Sequence, residues 1–184
     1  MTDQSTSDAA PDSSAGSPTT DTSAQEPDPR LIALWDTADA AEFIRAVGEG
    51  RVPRSPHQEH AGLRIVDATH GHVELEWFPR AHICNRAGIV HGGYLAIVLD
   101  DAAGLAGASI GERFVPMLTM DLRIEYLRPA LPDTPYRAIG TLVHSGKTRT
   151  VADARVEDAD GKLLARASGS FTPNRAFLPD RFSR

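Results

Sequence analysis

One stretch of the chain gathers residue types that can do chemistry at a meaningful spacing: Asn85-x-x-Gly88-x-x-His91-Gly92-Gly93, with Asp100 nine positions after the histidine. Two adjacent glycines opening a helix let a ligand come close to the backbone. The unpaired N–H groups of a first helical turn can hydrogen-bond a carbonyl oxygen and stabilise negative charge developing on it. Asn85 adds a side-chain amide just upstream. Asp100 stands in an otherwise apolar stretch, where burial should raise its pKa and suit it to act as general base or nucleophile. Nine residues of helix between His91 and Asp100 correspond to a rise of about 13.5 Å. That is too far for both to act on one carbonyl in a single subunit. If both act, the site is composite, with a second copy's antiparallel helix bringing its Asp100 to the first copy's helix start. The motif therefore implies a symmetric dimer.

These groups need elements to hold them. Tyr94 to Ala108 is apolar on nearly all sides and rich in Ala and Gly, which predicts a buried helix closely approached by its neighbours. Before it, Gly62–Thr69 and Val73–Phe78 read as two strands joined by a His-Gly-His turn; Val73, Leu75 and Trp77 alternate with Glu74 and Glu76. After it, Leu118, Met120, Leu122, Ile124 and Tyr126 alternate with Thr119, Asp121, Arg123 and Glu125, which places the apolar set on one face and Thr119 on the polar one. Strands over Tyr136–His144, Thr148–Val156 and Lys162–Phe171 follow, separated by the turns Ser145-Gly146-Lys147 and Asp158-Ala159-Asp160-Gly161. The pattern predicts an α+β fold, a long antiparallel sheet around one central helix.

Upstream, Leu31, Leu34, Trp35, Ala38, Ala41 and Phe43–Ile44 recur at helical spacing through Val47, so residues 30–50 read as one amphipathic helix. Pro53 and Pro56 predict an extended connector. Residues 1–29 hold no aromatic and no periodic apolar positions, and read as a disordered acidic tail. The folded domain is expected over residues 51–184.

The chain has 184 residues, 19 Lys+Arg against 25 Asp+Glu, and one cysteine. Six of the acids precede the first basic residue, Arg30, so everything from Pro29 onward is formally neutral. A neutral body without a basic stripe argues against a nucleic-acid partner. One cysteine excludes an intramolecular disulfide framework and fits a reducing compartment. The longest purely apolar run, Tyr94–Leu99, is far short of the roughly 20 residues a membrane span needs. No signal-peptide pattern opens the chain. A cytoplasmic protein with no membrane partner is the expectation.

The chain resembles the hotdog-fold acyl-CoA thioesterases, specifically the PaaI-like family, over about Gly62 to Phe171. The resemblance rests on Asn85-x-x-Gly88-x-x-His91-Gly92-Gly93, on Leu99-Asp100, on the strand Leu118-Thr119-Met120-Asp121-Leu122, and on the turns Gly146-Lys147-Thr148 and Asp160-Gly161-Lys162-Leu163. It implies hydrolysis of an acyl-CoA thioester by water, with no metal or other cofactor, in a homodimer or homotetramer. By the same resemblance Asp100 activates the water or attacks the carbonyl, while Asn85 and the Gly92 N–H polarise that carbonyl. His91 shapes the loop and holds Asn85, and Thr119 orients the water. Lys147, Arg149 and Gly93 fall where contacts to CoA are expected.

Other readings are weaker. Cys84 lacks a clear base partner, and free cysteine is often a small buried hydrophobe. His57, His60, His70 and His72 lie in a Pro-flanked connector and a turn without a clear acidic ligand set, and read as surface histidines. Asp101, about 100° around the helix from Asp100, is expected to hydrogen-bond structurally in a separate environment. Gly146-Lys147-Thr148 mimics the end of a phosphate-binding loop but precedes a strand. A hydroxyacyl dehydratase would need His91 and an acid paired, and Asp100 is on the wrong part of its helix. A non-catalytic acyl-CoA sensor would be expected to carry a partner module, and the first helix stands without a second recognition helix.

Overall fold

The alternation of apolar and charged residues along the second predicted strand is realised in full. In a computed structural model that describes residues 28–174, Val73, Leu75 and Trp77 are completely buried. The flanking Glu74 and Glu76 turn away from the core. Six such strands, β1 (Leu63–Thr69), β2 (His72–Trp77), β3 (Met117–Tyr126), β4 (Tyr136–Ser145), β5 (Thr150–Glu157) and β6 (Leu163–Pro173), form one sheet in the order β1-β2-β4-β5-β6-β3. Every neighbouring pair is antiparallel. The predicted strands are thus present, shifted at their ends by a residue or two.

The central helix α4 (Gly92–Ala108) packs on one face of this sheet and touches β2 through β6. Its Ala102, Ala103 and Ala106 are fully buried. Small residues are needed there because the backbones nearly touch: a Cβ on Gly140 of β4 would lie 1.9 Å from the Ala102 carbonyl oxygen. Burial of Leu95, Val98, Leu99, Phe171 and Val156 completes the core between helix and sheet, at about 1.5–3 kcal/mol for each large side chain.

Three local expectations change. The single helix expected over residues 30–50 is two, α1 (Pro29–Thr37) and α2 (Ala40–Gly48). Asp39 stops the first and caps the second, its carboxylate accepting the Glu42 N–H at 2.7 Å. Trp35, Phe43 and Phe114 then cluster, Phe43 stacked on Phe114 with ring centroids 4.6 Å apart, which fastens these helices to the loop after α4. The connector expected to be extended holds a short helix, α3 (Pro56–Ala61). Pro56 does force Ser55 into an extended conformation, yet at the first helical position a proline starts a helix rather than preventing one. Gly62, at φ 76°, ends it.

The third change is in β3. Thr119 pairs with Phe171 and Asp121 with Ser170, which leaves Met120 as an extra residue against β6. The bulge reverses the side-chain phase. Met117 packs on the core on one side of it, Leu122 and Ile124 on the other. Leu118 and Met120, expected in the apolar face, are 49% and 60% exposed instead. The acidic tail expected over residues 1–29 lies outside the described residues except for Asp28, which caps α1, and Pro29.

Candidate active site

The loop before α4 is a tight turn built around Asn85. Its N–H donates to the Ile89 carbonyl at 2.8 Å, and its own carbonyl accepts the Gly88 N–H at 3.0 Å. Gly88 takes φ 76°, which a side chain would disfavour. The Asn85 side-chain oxygen accepts the Ala87 N–H at 2.9 Å, leaving its NH2 group toward solvent. His91 is the N-cap of α4, and its Nδ1 accepts the Gly93 N–H at 3.0 Å. The expected contact from His91 to Asn85 is not made, because the ring turns to the helix it caps. Gly93 therefore has its N–H occupied. The Gly92 N–H donates to nothing among the described residues, so it is the open donor of that first turn. The Tyr126 ring lies beside it, 3.5 Å from where a Cβ on Gly92 would stand.

Two turns along the same helix, Asp100 is half-buried and accepts a hydrogen bond from the Thr119 hydroxyl at 2.8 Å. Alternation alone sets Thr119 opposite Leu122 and Ile124, on the polar side of β3; the bulge at Met120 brings it, with Met117, onto their face toward α4. Burial pushes the Asp100 carboxyl above its ordinary value. The Thr119 hydrogen bond works the other way, the Asp101 charge adds to the rise, and His57 opposes it.

Asp101 hydrogen-bonds structurally as expected, but its surroundings are not separate from those of Asp100. His57 Nε2 of α3 sits 2.9 and 3.1 Å from its two carboxylate oxygens, and Gln58 Nε2 donates to one of them at 3.0 Å. The Asp101 hydrogen bond is the main cause that raises the His57 pKa. One turn on, His60 Nε2 meets the Tyr94 hydroxyl at 3.0 Å, and the His60 ring lies edge-on to His82. The connector histidines His57 and His60 are exposed, as expected, and in addition join α3 to α4. The signal that could have found them is the seven-residue spacing of Tyr94 and Asp101 on one helix face, matched by His57 and His60 three apart.

Of the positions expected to meet CoA, Gly93 is in the first turn of α4, and Lys147 and Arg149 are in the turn between β4 and β5. Lys147 is exposed, while Arg149 forms an ion pair with Asp121 at 3.3 Å. Asp121 also accepts a short hydrogen bond from Ser170. Cys84 is half-buried, its sulfur 4.0 Å from the Arg80 carbonyl. A cavity of about 570 Å³ lies on the sheet face away from α4, lined by Arg123, Glu125, Arg155 and Arg166, and includes none of these site residues. No described helix is long and apolar enough to cross a membrane.

A central helix packed on a six-stranded antiparallel sheet is the hotdog fold. Residues 87–165 match the Thioesterase superfamily. A Halobacterium salinarum protein described as an esterase is 32% identical over 155 residues, covering 79% of this chain and 98% of that protein. A Salmonella typhimurium medium/long-chain acyl-CoA thioesterase, YigI, is 26% identical over 147 residues, covering 72% of this chain and 94% of its own. The solved structure of the Escherichia coli PaaI protein superposes with a TM-score of 0.64 at 22% identity, covering 73% of this chain and 92% of PaaI. The chain belongs to the thioesterase superfamily.

Proposed function

We propose that the protein hydrolyses an acyl-CoA thioester to the free acid and CoA, in a site shared between two subunits. The observation that carries this reading is Asp100: a half-buried carboxylate with a raised pKa, held by the Thr119 hydroxyl on the helix whose first turn presents the open Gly92 N–H. Asp100 takes a proton from water as the water oxygen adds to the thioester carbon. Alternatively its carboxylate adds directly, and water then hydrolyses the mixed anhydride left on Asp100, freeing the acid and supplying the proton that sulfur takes up. The Gly92 N–H at the helix start, with the Asn85 NH2 group, stabilises the oxyanion. When the carbon–sulfur bond breaks, the sulfur leaves with its electron pair and takes up the proton. Thr119 orients the carboxylate or the water. Gly92 and Asp100 are eight residues apart on one helix, about 12 Å, so the oxyanion donors are taken from the partner subunit.

The acyl-CoA substrate class is supported by the named activity of the Salmonella typhimurium relative. Lys147 at the β4–β5 turn, with Arg149 and the exposed Gly93, is the CoA-facing set in this reading. A CoA substrate also argues for the cytoplasm. The test is release of free CoA from a panel of aryl, short-, medium- and long-chain acyl-CoA esters. Asp100→Asn should lower turnover by at least about 10²-fold while KM changes little. Saturable acyl-CoA binding with no turnover on any ester would reject hydrolysis in favour of a sensor.

A further inference from the structure

Beside the candidate base stands a second carboxylate, and the fold supplies it with a dedicated partner from another element. Asp101 is adjacent to Asp100 in sequence, and α3 delivers His57 to both of its oxygens and Gln58 to one. We propose that His57 and Asp101 are positioning residues for the reaction: the His57 cation balances the Asp101 charge, so that Asp100 next to it stays ionised and ready to act as base. This deepens the hydrolase reading above and rests on its assignment of Asp100.

The geometry sets the signs. Two carboxylates on successive residues of a half-buried helix disfavour each other's ionisation. A cation on the far side of Asp101 cancels much of that effect. The groups on the elements packed against α4 can be named in turn: α2 carries Glu42 and Arg45, which pair with each other. Helix α4 supplies Asp100 and Asp101 themselves, with Tyr94 two turns nearer the start. Helix α3 supplies His57 and, at the other end, His60 against Tyr94; Glu59 lies on its exposed side. Strand β3 supplies the uncharged Thr119 hydroxyl. The core faces of β2, β4, β5 and β6 toward α4 carry Val73, Leu75, Ala138, Ala152, Ala154, Ala167 and their like, with no charge. Among the described residues, the charges that shift Asp100 are Asp101 and His57, in opposite directions.

Because they oppose each other, removing them singly should produce opposite results. His57→Gln keeps a polar side chain but leaves the Asp101 charge uncompensated, so the acid limb of the kcat/KM profile moves to higher pH. Asp101→Asn removes that charge and with it the reason for His57 to be protonated, so the limb moves to lower pH. One pH unit below the wild-type midpoint, the first variant should be about threefold less active than wild type, and the second more active. The profiles use the best acyl-CoA ester of the panel.

A second readout needs no substrate: the 13C titration of the Asp100 side-chain carboxyl in the resting protein should move in the same two directions. Shifts of one sign in both variants, or none in either, would overturn the proposal, since a merely structural contact predicts no such antisymmetry. Should His57→Gln misfold, His57→Ala takes its place, because the Asp101→Asn shift alone would follow from the neighbouring charge whatever His57 does. Opposite carboxyl shifts in a protein that hydrolyses no thioester would bear out the pair and reject the hydrolase reading instead.

Discussion

Asp100 is held where its charge is unwelcome, and the consequence for stability follows from linkage. Its folded pKa lies above the ordinary 3.8, chiefly through burial. The folded state therefore binds a proton more readily than the unfolded state. The ionised carboxyl then opposes folding, an effect absent below pH 3.8 and growing as pH rises to the folded pKa, beyond which it is constant. Asp100→Asn keeps the Thr119 partner and removes the charge. It should melt higher than wild type at pH 7, and calorimetry should show that advantage shrinking as the buffer is taken toward pH 4. A variant that is both inactive and less stable at pH 7 would mean that the carboxylate's hydrogen bonds outweigh its desolvation. Functional sites commonly carry such a trade of stability for activity.

At the scale of elements, the position of Asp100 depends on how closely α4 sits on β4. The contact between Gly140 and the Ala102 carbonyl leaves no room for a methyl group, and backbone atoms cannot swing aside as a flexible side chain could. Gly140→Ala must lift the helix or bend the strand. Overpacking of this kind costs about 1–3 kcal/mol or more, which thermal melts would read as a drop of several degrees. Turnover should fall with it, because the 2.8 Å contact between Thr119 on β3 and Asp100 on α4 depends on where that helix sits. Unchanged melting in this variant would show that the helix is seated less tightly than described. The α1–α2 cluster of Trp35, Phe43 and Phe114 holds the far end of the same arrangement, at the loop that leads into β3.

For the whole molecule, the sheet ends on β3, whose outer edge has no strand beside it among the described residues. Unpaired edges invite pairing with another chain. Around that edge stand Leu118, Met120, Tyr126 and Leu127, all more than a third exposed, with Ile97 on the outer face of α4. A dimer formed along this edge would bury this surface, and the proposed composite site requires that it also set the two α4 helices antiparallel. Sedimentation at micromolar concentration should therefore return at least a dimer. Met120→Lys at the bulge should weaken association and turnover together. A monomer that hydrolyses thioesters at full rate would reject the shared site, leaving Asp100 to be tested alone.

The strands and the buried helix were legible in the order of residues because burial imposes a local period: two along Val73-Leu75-Trp77, none along the all-apolar α4. The glycine pair and the carboxylate of Asp100 in an apolar helix were legible for a similar reason, each being a residue type out of place for ordinary packing, whereas the capping role of His91 was not. The break at Asp39 and the short helix at Pro56 were readable only through capping chemistry, because a helical period alone does not say where one turn ends and another begins. Two features lay beyond any local pattern. The bulge at Met120 exists only relative to β6, whose Phe171 and Ser170 set the register, and it alone carries Thr119 to Asp100. The His57–Asp101 contact joins residues 44 positions apart across two helices. Register and helix docking are relations between distant segments, so they become definite only when the chain has closed around its core.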